Sequence, residues 1–293
     1  MKFAITGKTK LISLLGSPVS HSRSPSMQNG VFEALGLDYV YVAFDVGLDN
    51  VEAAIDGLRA MNFRGSNVTM PLKKVVCQYL DKLTPAAEMA GAVNVIINDD
   101  GVLTGHITDG EGYMMSLVDA GVEYIGKKMI IVGSGGASTA VAIQAAMDGV
   151  RSISIFNHKD AFYSNGERTV EGLRQQIGCE AHMFDLADMN LLRKEMMRSD
   201  IFINATPIGM EETLHESVIP DASYFHKNLI VTDLIYVPVE TKLLKIAKAA
   251  GNKTVNGLGM QLFQGVSAFK MWTGHDMPID VAREILFGKS VTK

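Results

Sequence analysis

The 293-residue chain contains only two cysteines, Cys77 and Cys179, and a single tryptophan. Two cysteines this far apart build neither a disulfide framework nor a thiolate metal site, so we expect a cytoplasmic protein without a bound metal. No run approaches the roughly 18 apolar residues of a membrane-spanning helix. The apolar stretch behind residues 1–10 is too short and too broken for a signal peptide. These absences exclude a disulfide-stapled secreted domain and predict no membrane partner.

Positive charge is also scarce. Lys and Arg number 27 against 32 Asp and Glu, which gives a net charge of −5 and a pI near 5.8, and there is no basic tract. Nucleic acid is therefore not an expected partner. The length and a hydrophobic fraction of 47% predict a compact protein of two domains.

Short apolar runs bounded by Gly, Pro and Asn alternate with stretches of helical period, which predicts an α/β fold. The first hundred residues predict strands at 11–16, 39–44, 65–68, 93–98 and 103–104, and helices at 26–35, 50–61 and 72–79. After residue 126 the pattern predicts strands at 128–132, 152–156, 197–206 and 228–233, and helices at 139–149, 160–177, 189–198, 241–251, 259–273 and 280–288. The second half has the order typical of a nucleotide-binding domain.

A glycine-rich turn follows the strand at 128–132. Gly133, Gly135 and Gly136 lie between a strand and a helix, with Ser134, Ala137 and a small Ser138 completing the turn. The pyrophosphate of a dinucleotide needs backbone N–H groups, a helix N-terminus and no obstructing side chain, and this turn offers all three. A tight turn without a ligand is the alternative.

The residues after the next strand bear on the choice of cofactor. In Asn157-His158-Lys159-Asp160, Asp160 has nearly the spacing at which a carboxylate accepts the ribose hydroxyls of NAD and repels a 2′-phosphate. Lys159 could pair with that phosphate. We expect NAD, with NADP as a possible second cofactor. Asp160 could also cap a helix at residue 161.

Two residues of the chain suit acid/base chemistry. Lys73 lies at the start of the helix predicted over 72–79, where the helix dipole disfavours an ammonium. Asp109 follows Thr108 and precedes Gly110. Without further context the more common explanation is a solvated lysine and an aspartate in a turn.

The chain resembles the shikimate dehydrogenase family along nearly its whole length, closest to the quinate/shikimate dehydrogenase branch. The motifs are Ser22-Arg23-Ser24-Pro25, Asn67-Val68-Thr69-Met70-Pro71-Leu72-Lys73, Gly91-Ala92-Val93-Asn94, Thr108-Asp109-Gly110, the 133–138 turn, Asn204-Ala205-Thr206-Pro207-Ile208-Gly209-Met210, Asp233-Leu234-Ile235-Tyr236 and Gly257-Leu258-Gly259-Met260 with Gln264. The resemblance implies an N-terminal α/β substrate domain (1–115), a Rossmann-type NAD(P)-binding domain (116–257), and C-terminal helices (258–293) that return to the substrate domain.

The resemblance also implies roles for individual residues. The family interconverts shikimate and 3-dehydroshikimate, or quinate and 3-dehydroquinate, in aromatic amino acid (chorismate) biosynthesis or quinate metabolism. Lys73 and Asp109 would be the catalytic pair, and the substrate would be bound by Ser22, Ser24, Thr69, Asn94, Tyr236 and Gln264. The cofactor would be bound by Gly133, Ser134, Gly135, Gly136, Ala137, Asn157, His158, Lys159, Asp160, Thr206, Pro207, Leu234 and Gly257. The oligomeric state stays open, with a homodimer as the candidate.

Each binding role has a structural alternative: Ser22 and Ser24 could cap the next helix, Asn94 could be a turn residue, Gln264 an exposed helix residue and Tyr236 a packing residue. Three positions depart from the family pattern. Ile107 and Val237 replace a common Asn, and His158 replaces an Arg that pairs with a 2′-phosphate, which favours NAD. Ile107 leaves open another cyclic polyol acid as substrate, such as an aminoshikimate, and a non-catalytic nucleotide-binding relative is the second alternative.

Overall fold

The structure, a computed structural model, describes residues 4–288, and over this range the chain forms twelve strands and ten α-helices. The strands are β1 (Lys10–Gly16), β2 (Tyr39–Asp45), β3 (Gly65–Val68), β4 (Lys82–Leu83), β5 (Val95–Asp99), β6 (Val102–His106), β7 (Lys128–Val132), β8 (Ser152–Asn157), β9 (Glu180–Asp185), β10 (Ile201–Asn204), β11 (Ile230–Asp233) and β12 (Thr254–Val255). The helices are α1 (Ser24–Leu35), α2 (Val51–Ala60), α3 (Pro85–Ala90), α4 (Asp109–Asp119), α5 (Gly136–Met147), α6 (Tyr163–Gly172), α7 (Met189–Met196), α8 (Lys242–Ala249), α9 (Leu258–Thr273) and α10 (Ile279–Phe287).

These elements form two compact units. Within the described residues, the first unit runs to Thr108 and resumes at Gln264, and the second unit is Asp109–Phe263. The resemblance implies domain boundaries after residues 115 and 257. The two compact units change at the first residue of α4 and inside α9.

The first unit contains a six-stranded mixed sheet in the order β2-β1-β3-β5-β6-β4. β1 pairs in parallel with β2 and β3, whereas β5 is antiparallel to both of its neighbours. One apolar cluster of this unit joins β1 and β3 to α2 through side chains such as Leu15, Val68, Ile55 and Leu58. The sheet therefore presents the ends of β1 and β3 together at one edge, which is where the Ser22 and Thr69 loops begin.

The second unit contains a six-stranded sheet in the order β12-β11-β10-β7-β8-β9, with every pairing parallel. Counted in chain order this is the 3-2-1-4-5-6 arrangement of a Rossmann domain, so the predicted α/β fold with a Rossmann-type domain is confirmed. All six residues of β8 are buried, as expected for a parallel strand covered by helices on both faces.

The helix predicted over 72–79 is wrong. Residues 70–74 form turns and only Val75–Tyr79 winds, as a 3₁₀ helix. The N–H of Leu72 bonds to the carbonyl of Thr69, three residues back, so the chain turns tightly before it winds. Lys73 consequently does not lie at the start of an α-helix, and the helix-dipole argument made for it does not apply.

Candidate active site

Two serines of the first unit flank the start of α1. Ser22 lies in the preceding loop, and its Oγ accepts a hydrogen bond from the N–H of Ser24 at 3.3 Å. Ser24 is the first helical residue, while Arg23 occupies the N-cap position without a side-chain cap bond. The alternative in which Ser24 caps the helix is therefore wrong.

Asn67, Asn94 and Thr108 form a buried polar network in the same unit. The Asn94 Oδ1 accepts the N–H of Thr108 at 2.8 Å, and its Nδ2 donates to the Thr108 Oγ1 at 3.0 Å. The Asn67 Nδ2 donates to the carbonyl of Asn94 at 3.0 Å. The Thr108 hydroxyl in turn donates to the carbonyl of Gln264 in α9 at 3.1 Å. The network thus joins the end of β3, the start of β5 and α9.

Thr69 and Lys73 follow β3 on a chain segment that is pinned at both ends. The N–H of Thr69 donates to the carbonyl of Leu15 at 2.8 Å, and the carbonyl of Lys73 accepts the N–H of Val93 at 2.7 Å. Both side chains are half-buried, as is that of Gln264. The structure therefore brings Ser22, Ser24, Thr69, Lys73, Asn94 and Gln264 into one unit.

Asp109 is the first residue of α4 in the second unit, and its side chain is half-buried. A carboxylate in the first turn of a helix is stabilised by the helix dipole. The next residue, Gly110, lies against α5, where a Cβ would come within 2.2 Å of the Ala140 carbonyl. This close packing fixes the start of α4 and with it the position of Asp109.

The 133–138 turn has the geometry that a pyrophosphate requires. Gly133 has φ of +107°, and a Cβ there would lie 2.7 Å from the Ala205 carbonyl, so no other residue fits. Gly135 is the N-cap of α5 and offers no side-chain cap, while a Cβ on Gly135 or Gly136 would meet no protein atom within 4 Å. A side chain would thus fill the space before the helix N-terminus, which is where a phosphate binds.

Two serines of this turn, Ser134 and Ser138, make side-chain hydrogen bonds to the protein backbone. The buried Ser134 donates its hydroxyl to the carbonyl of Phe162 at 2.8 Å. The Ser138 hydroxyl donates to the carbonyl of Gly133 at 2.6 Å. Ala137 is exposed in the first turn of α5. The side chain of Ser134 is therefore engaged with the protein, and only its backbone is suited to hold a phosphate.

The segment after β8 presents charges of both signs. Asn157 is buried, whereas His158, Lys159 and Asp160 are exposed. The Asp160 Oδ1 accepts hydrogen bonds from the Asn157 Nδ2 at 2.9 Å and from the N–H of Phe162 at 2.8 Å. α6 begins only at Tyr163, with Phe162 at its N-cap position, so the alternative of Asp160 as the cap of a helix starting at residue 161 is wrong. Lys159 Nζ lies 3.7 Å from the Asp185 carboxylate.

Asn204, the last residue of β10, shapes the segment that contains Thr206 and Pro207. The Asn204 Oδ1 accepts both the N–H of Thr206 at 3.1 Å and its hydroxyl at 2.7 Å. Pro207 is exposed beyond this turn. This segment also touches the glycine-rich turn, because the Ala205 carbonyl is the atom that excludes a Cβ at Gly133.

Leu234, Tyr236 and Gly257 lie after β11 and β12. A Cβ on Gly257 would come within 2.1 Å of the Leu234 carbonyl, and the Gly257 N–H donates to the carbonyl of Ile235 at 3.0 Å. The Tyr236 side chain is 44% exposed and Val237 is 67% exposed. The alternative of Tyr236 as a packing residue is therefore not favoured.

Sequence reasoning assigned no role to three buried residues that organise these segments: Tyr41, Thr108 and Asp233. Tyr41 in β2 donates its hydroxyl to the Asn67 Oδ1 at 2.8 Å. Thr108 and Asp233 lie inside recognised motifs, so their place in those motifs was the available signal. Tyr41 has no such signal, because a tyrosine in a strand is typical of a packed core.

Within residues 4–288, no group of three or more His, Cys, Asp or Glu side chains is placed to hold a metal ion. In the same range no helix is long and apolar enough to cross a membrane.

This chain is similar to known proteins over nearly its whole length. The family model described as the shikimate dehydrogenase substrate binding domain matches residues 14–96, and that of the shikimate 5'-dehydrogenase C-terminal domain matches residues 257–287. Shikimate dehydrogenase (NADP(+)) of Listeria monocytogenes serotype 4b is 55% identical over 97% of both chains. Quinate/shikimate dehydrogenase of Escherichia coli is 41% identical over 96% of this chain and 98% of the relative. The crystal structure of L. monocytogenes shikimate 5-dehydrogenase in complex with shikimate and NAD is 54% identical, with a TM-score of 0.96 over 98% of this chain and 99% of that one.

Proposed function

This chain belongs to the shikimate dehydrogenase family, and from that premise we propose that it interconverts shikimate and 3-dehydroshikimate with a nicotinamide dinucleotide. The observation that carries the proposal is similarity over 97% of the chain to a shikimate dehydrogenase, together with the presence of Lys73, Asp109 and the proposed substrate-binding residues in the family's motifs. In the oxidising direction, the hydride on C3 of shikimate moves to the nicotinamide ring and the C3 hydroxyl loses its proton. The products are the ketone, the reduced dinucleotide and one proton.

For the acid/base step we propose Lys73 as the group that takes the hydroxyl proton and Asp109 as the second catalytic residue. A positioned acid/base group contributes about 10²- to 10⁴-fold to a rate. Support for Lys73 comes from its pinned backbone and half-buried side chain, which limit the freedom of the amine. Support for Asp109 comes from the close packing of α4 against α5 at Gly110.

We propose that the substrate is bound by Ser22, Ser24, Thr69, Asn94, Tyr236 and Gln264. Hydroxyl and amide groups suit a ligand that carries several hydroxyls and one carboxylate, because they both donate and accept hydrogen bonds. Ser22 and Ser24 are adjacent to each other through the Ser24 N–H, so their hydroxyls can share the carboxylate.

The proposed cofactor-binding residues fit a dinucleotide. Gly133, Gly135, Gly136, Ala137 and the backbone of Ser134 would hold the pyrophosphate at the N-terminus of α5. The segment Asn157, His158, Lys159 and Asp160 would meet the adenosine ribose, and Thr206, Pro207, Leu234 and Gly257 would line the nicotinamide end. When bound, the nicotinamide accepts or delivers the hydride.

We propose NAD as the preferred dinucleotide and NADP as a second one. Both hydrogen bonds to the Asp160 carboxylate fall on Oδ1, so Oδ2 can face the ribose hydroxyls, and its charge would repel a 2′-phosphate. The Lys159 ammonium lies near Asp185, which lowers its net attraction for a phosphate. The L. monocytogenes relatives do not decide between the two dinucleotides. The curated relative is named for NADP(+), whereas the crystal structure is a complex with shikimate and NAD.

Quinate is the second candidate substrate, favoured by the E. coli relative whose name includes it. Quinate carries an additional hydroxyl on the carbon that bears the carboxylate. Acceptance of that hydroxyl would depend on the cluster of Ser22, Ser24, Thr69 and Tyr236. We expect shikimate to be the better substrate, because it stands in the name of every relative reported above. A cytoplasmic location and a homodimer stay predictions.

The test is a steady-state comparison of the purified chain with shikimate and with quinate, each with NAD⁺ and with NADP⁺, followed by the absorbance of the reduced nicotinamide. The highest kcat/KM is expected for shikimate with NAD⁺. Absence of reduction in all four combinations would overturn the proposal in favour of another polyol acid or a non-catalytic protein.

A further inference from the structure

Ser134 in the glycine-rich turn carries a hydroxyl that is bound to the segment 157–162 after β8 (the ribose segment). Ser134 is 2% exposed, and its hydroxyl donates to the carbonyl of Phe162 at 2.8 Å. Phe162 occupies the N-cap position of α6 and lies two residues beyond Asp160. A buried hydroxyl therefore joins the proposed pyrophosphate site to the proposed ribose site across 28 positions of the sequence.

Phe162 is also held by Asp160, through its other backbone group. The Asp160 Oδ1 accepts the N–H of Phe162 at 2.8 Å, and the Asn157 Nδ2 donates to the same oxygen at 2.9 Å. The Ser134 hydroxyl and the Asp160 carboxylate thus bind the carbonyl and the N–H of one residue. Because a shift of Phe162 would move a hydrogen-bond partner of Asp160, the Ser134 bond limits the freedom of that carboxylate.

Asn165 in α6 makes a second connection, in the opposite direction. Its Nδ2 donates to the carbonyl of Ser134 at 2.5 Å and to the Thr139 Oγ1 in α5 at 3.0 Å. α6 also packs closely on the turn at Gly166, where a Cβ would lie 3.1 Å from the Ser134 Cβ. The protein's own contacts therefore fix the distance between the glycine-rich turn and the start of α6.

A dinucleotide requires a set distance between these two parts of its site. The adenosine ribose is covalently joined to the pyrophosphate, so a carboxylate meets the ribose hydroxyls only at the right separation from the turn that holds the phosphates. Asp160 is exposed, and its orientation depends on its hydrogen bonds with Phe162 and Asn157. A group that is already held in place spares the ligand the cost of ordering it.

We propose that Ser134 is a positioning residue for the choice of dinucleotide: its hydroxyl holds Phe162 and thereby sets the Asp160 carboxylate against the adenosine ribose. The inference rests on the proposed function, in which Asp160 accepts the ribose hydroxyls of NAD. A carboxylate fixed there binds the 2′-hydroxyl and also repels a 2′-phosphate. A carboxylate that is free to rotate binds the hydroxyls less well and can turn away from the phosphate.

Ser134→Ala is the direct test, since it removes the hydroxyl and keeps the Cβ that α6 packs against. We expect the kcat/KM ratio of NAD⁺ to NADP⁺ to fall about threefold, through a higher KM for NAD⁺, while KM for shikimate is unchanged. Loss of one buried hydrogen bond has an effect of this order, and Asn157 still holds Asp160. A purely structural disturbance of the turn would raise KM for both dinucleotides by the same factor. An unchanged ratio would therefore overturn the inference.

Ser138→Ala is the matched control. Ser138 is fully buried in the same turn, and its hydroxyl donates to the carbonyl of Gly133 at 2.6 Å instead of to the ribose segment. Both variants lose a buried serine hydroxyl that is bound to a backbone carbonyl, so both should unfold at lower urea concentrations. Only Ser134→Ala should change the ratio of NAD⁺ to NADP⁺. An equal fall of this ratio in Ser138→Ala would contradict the inference.

A double-mutant cycle tests whether Ser134 acts through Asp160. Asp160→Asn alone should lower the ratio of NAD⁺ to NADP⁺, and Ser134→Ala should then lower it less than in the wild-type chain, because the charge that Ser134 positions is gone. Independent, multiplying effects would exclude the route through Asp160. If Asp160→Asn leaves the ratio unchanged, the ribose assignment of the proposed function fails and the inference fails with it. If Asp160→Asn lowers the ratio and Ser134→Ala does not, only the inference fails.

Discussion

The Asn204 side-chain amide donates a hydrogen bond to the Asp233 carboxylate at 3.1 Å, across paired positions at the ends of β10 and β11. The same carboxylate accepts the Thr241 hydroxyl at 2.7 Å and the N–H of Ile235 at 3.0 Å. Asp233 is 1% exposed. One buried carboxylate therefore connects the segment before Thr206 with the loop that leads to Tyr236 and with the start of α8.

Because the Asp233 carboxylate is buried, we expect the free energy of unfolding to depend on pH. Burial raises the pKa of Asp233 to about 6, although bonds from Ile235, Thr241 and Asn204 oppose the rise. The folded state then holds the proton more tightly than the unfolded state, whose aspartate has a pKa near about 3.9. The contribution of protonated Asp233 to the free energy of unfolding is complete below about pH 4. It is lost as the pH rises through about 6, and the total loss is roughly 3 kcal/mol.

Asp233→Asn removes this titration and keeps the shape of the side chain. Relative to the wild-type chain, the variant should gain free energy of unfolding as the pH increases from about 4 to about 7. Urea unfolding of both proteins at each pH measures the difference. Two curves that stay parallel over this range would show that Asp233 does not titrate there.

The assignment of Lys73 predicts a loss of turnover rather than of cofactor binding. Lys73→Ala should lower kcat about 10²- to 10⁴-fold, the usual contribution of a positioned acid/base group, and leave NAD⁺ binding intact. Lys74→Ala is the matched control, because Lys74 is the adjacent, exposed lysine and should be dispensable. Near-normal turnover of Lys73→Ala would contradict the catalytic role.

Asp109→Ala should lower kcat by a similar factor, about 10²-fold or more, because it too is assigned to the acid/base step. Glu111→Ala is its control, since Glu111 is the other acidic residue in the first turn of α4. Both variants lose the same favourable contact with the helix dipole, so a purely structural role would affect them equally. Steady-state kinetics with a parallel measurement of unfolding separates the two explanations.

Asp160 predicts the cofactor preference. Asp160→Asn keeps the oxygen that accepts from Asn157 and Phe162 but removes the charge, so the kcat/KM ratio of NAD⁺ to NADP⁺ should fall about tenfold, as for the loss of one close charge repulsion. Asp188→Asn is the control, since Asp188 is an exposed carboxylate that likewise accepts a local N–H, that of Leu191. A higher kcat/KM with NADP⁺ in the wild-type chain would refute the ribose assignment.

Replacement of Gly135 by alanine is expected to lower the affinity for the dinucleotide with little loss of folding stability. Its backbone, with φ of −76° and ψ of −175°, accepts alanine, and a Cβ there meets no protein atom within 4 Å. Gly135→Ala should therefore lower the free energy of unfolding by no more than about 1 kcal/mol, the usual cost of alanine at an N-cap. It should raise KM for NAD⁺ at least about tenfold, because the methyl group takes the place of a phosphate oxygen.

The control for this prediction is Gly47→Ala in the first unit. Gly47 has nearly the same backbone, with φ of −84° and ψ of 174°, and equally open surroundings. This variant should leave both stability and KM for NAD⁺ unchanged. An unchanged KM for NAD⁺ in Gly135→Ala would contradict the assignment of the glycine-rich turn to the pyrophosphate.

The sequence predicted those elements whose signals are local. β3 and β7 begin and end where the sequence predicts strands, at 65–68 and 128–132. For β7 the signal is a short apolar run that ends at Gly133. α4 was not predicted, because Gly110 and Gly112 lower its intrinsic helix propensity. Packing outweighs that cost, since only a glycine at position 110 allows the approach to Ala140.

In the candidate site, too, the sequence predicted the residues that stand in local motifs but not their partners from distant parts of the chain. The motifs identify residues such as Ser24, Asn94 and Gln264, each of which stands in a recognisable stretch of sequence. The partners that orient them are distant in the chain: Tyr41 meets Asn67 across 26 positions and Thr108 meets Gln264 across 156. Such pairings depend on strand order and helix placement, which neither periodicity nor composition determines.

The Asn29 side chain in α1 makes two hydrogen bonds to the backbone of Tyr41, and these bonds bear on the exposed edge of the first sheet. β2 is the outermost strand of the first sheet, and it carries Val42 and Phe44, each 42% exposed. An uncovered apolar edge strand invites pairing with another chain and aggregation. The Asn29 side chain takes both backbone groups that Tyr41 would offer to an incoming strand. A single side-chain amide thus occupies the backbone donor and acceptor of Tyr41, and an incoming strand cannot pair with the edge at that residue.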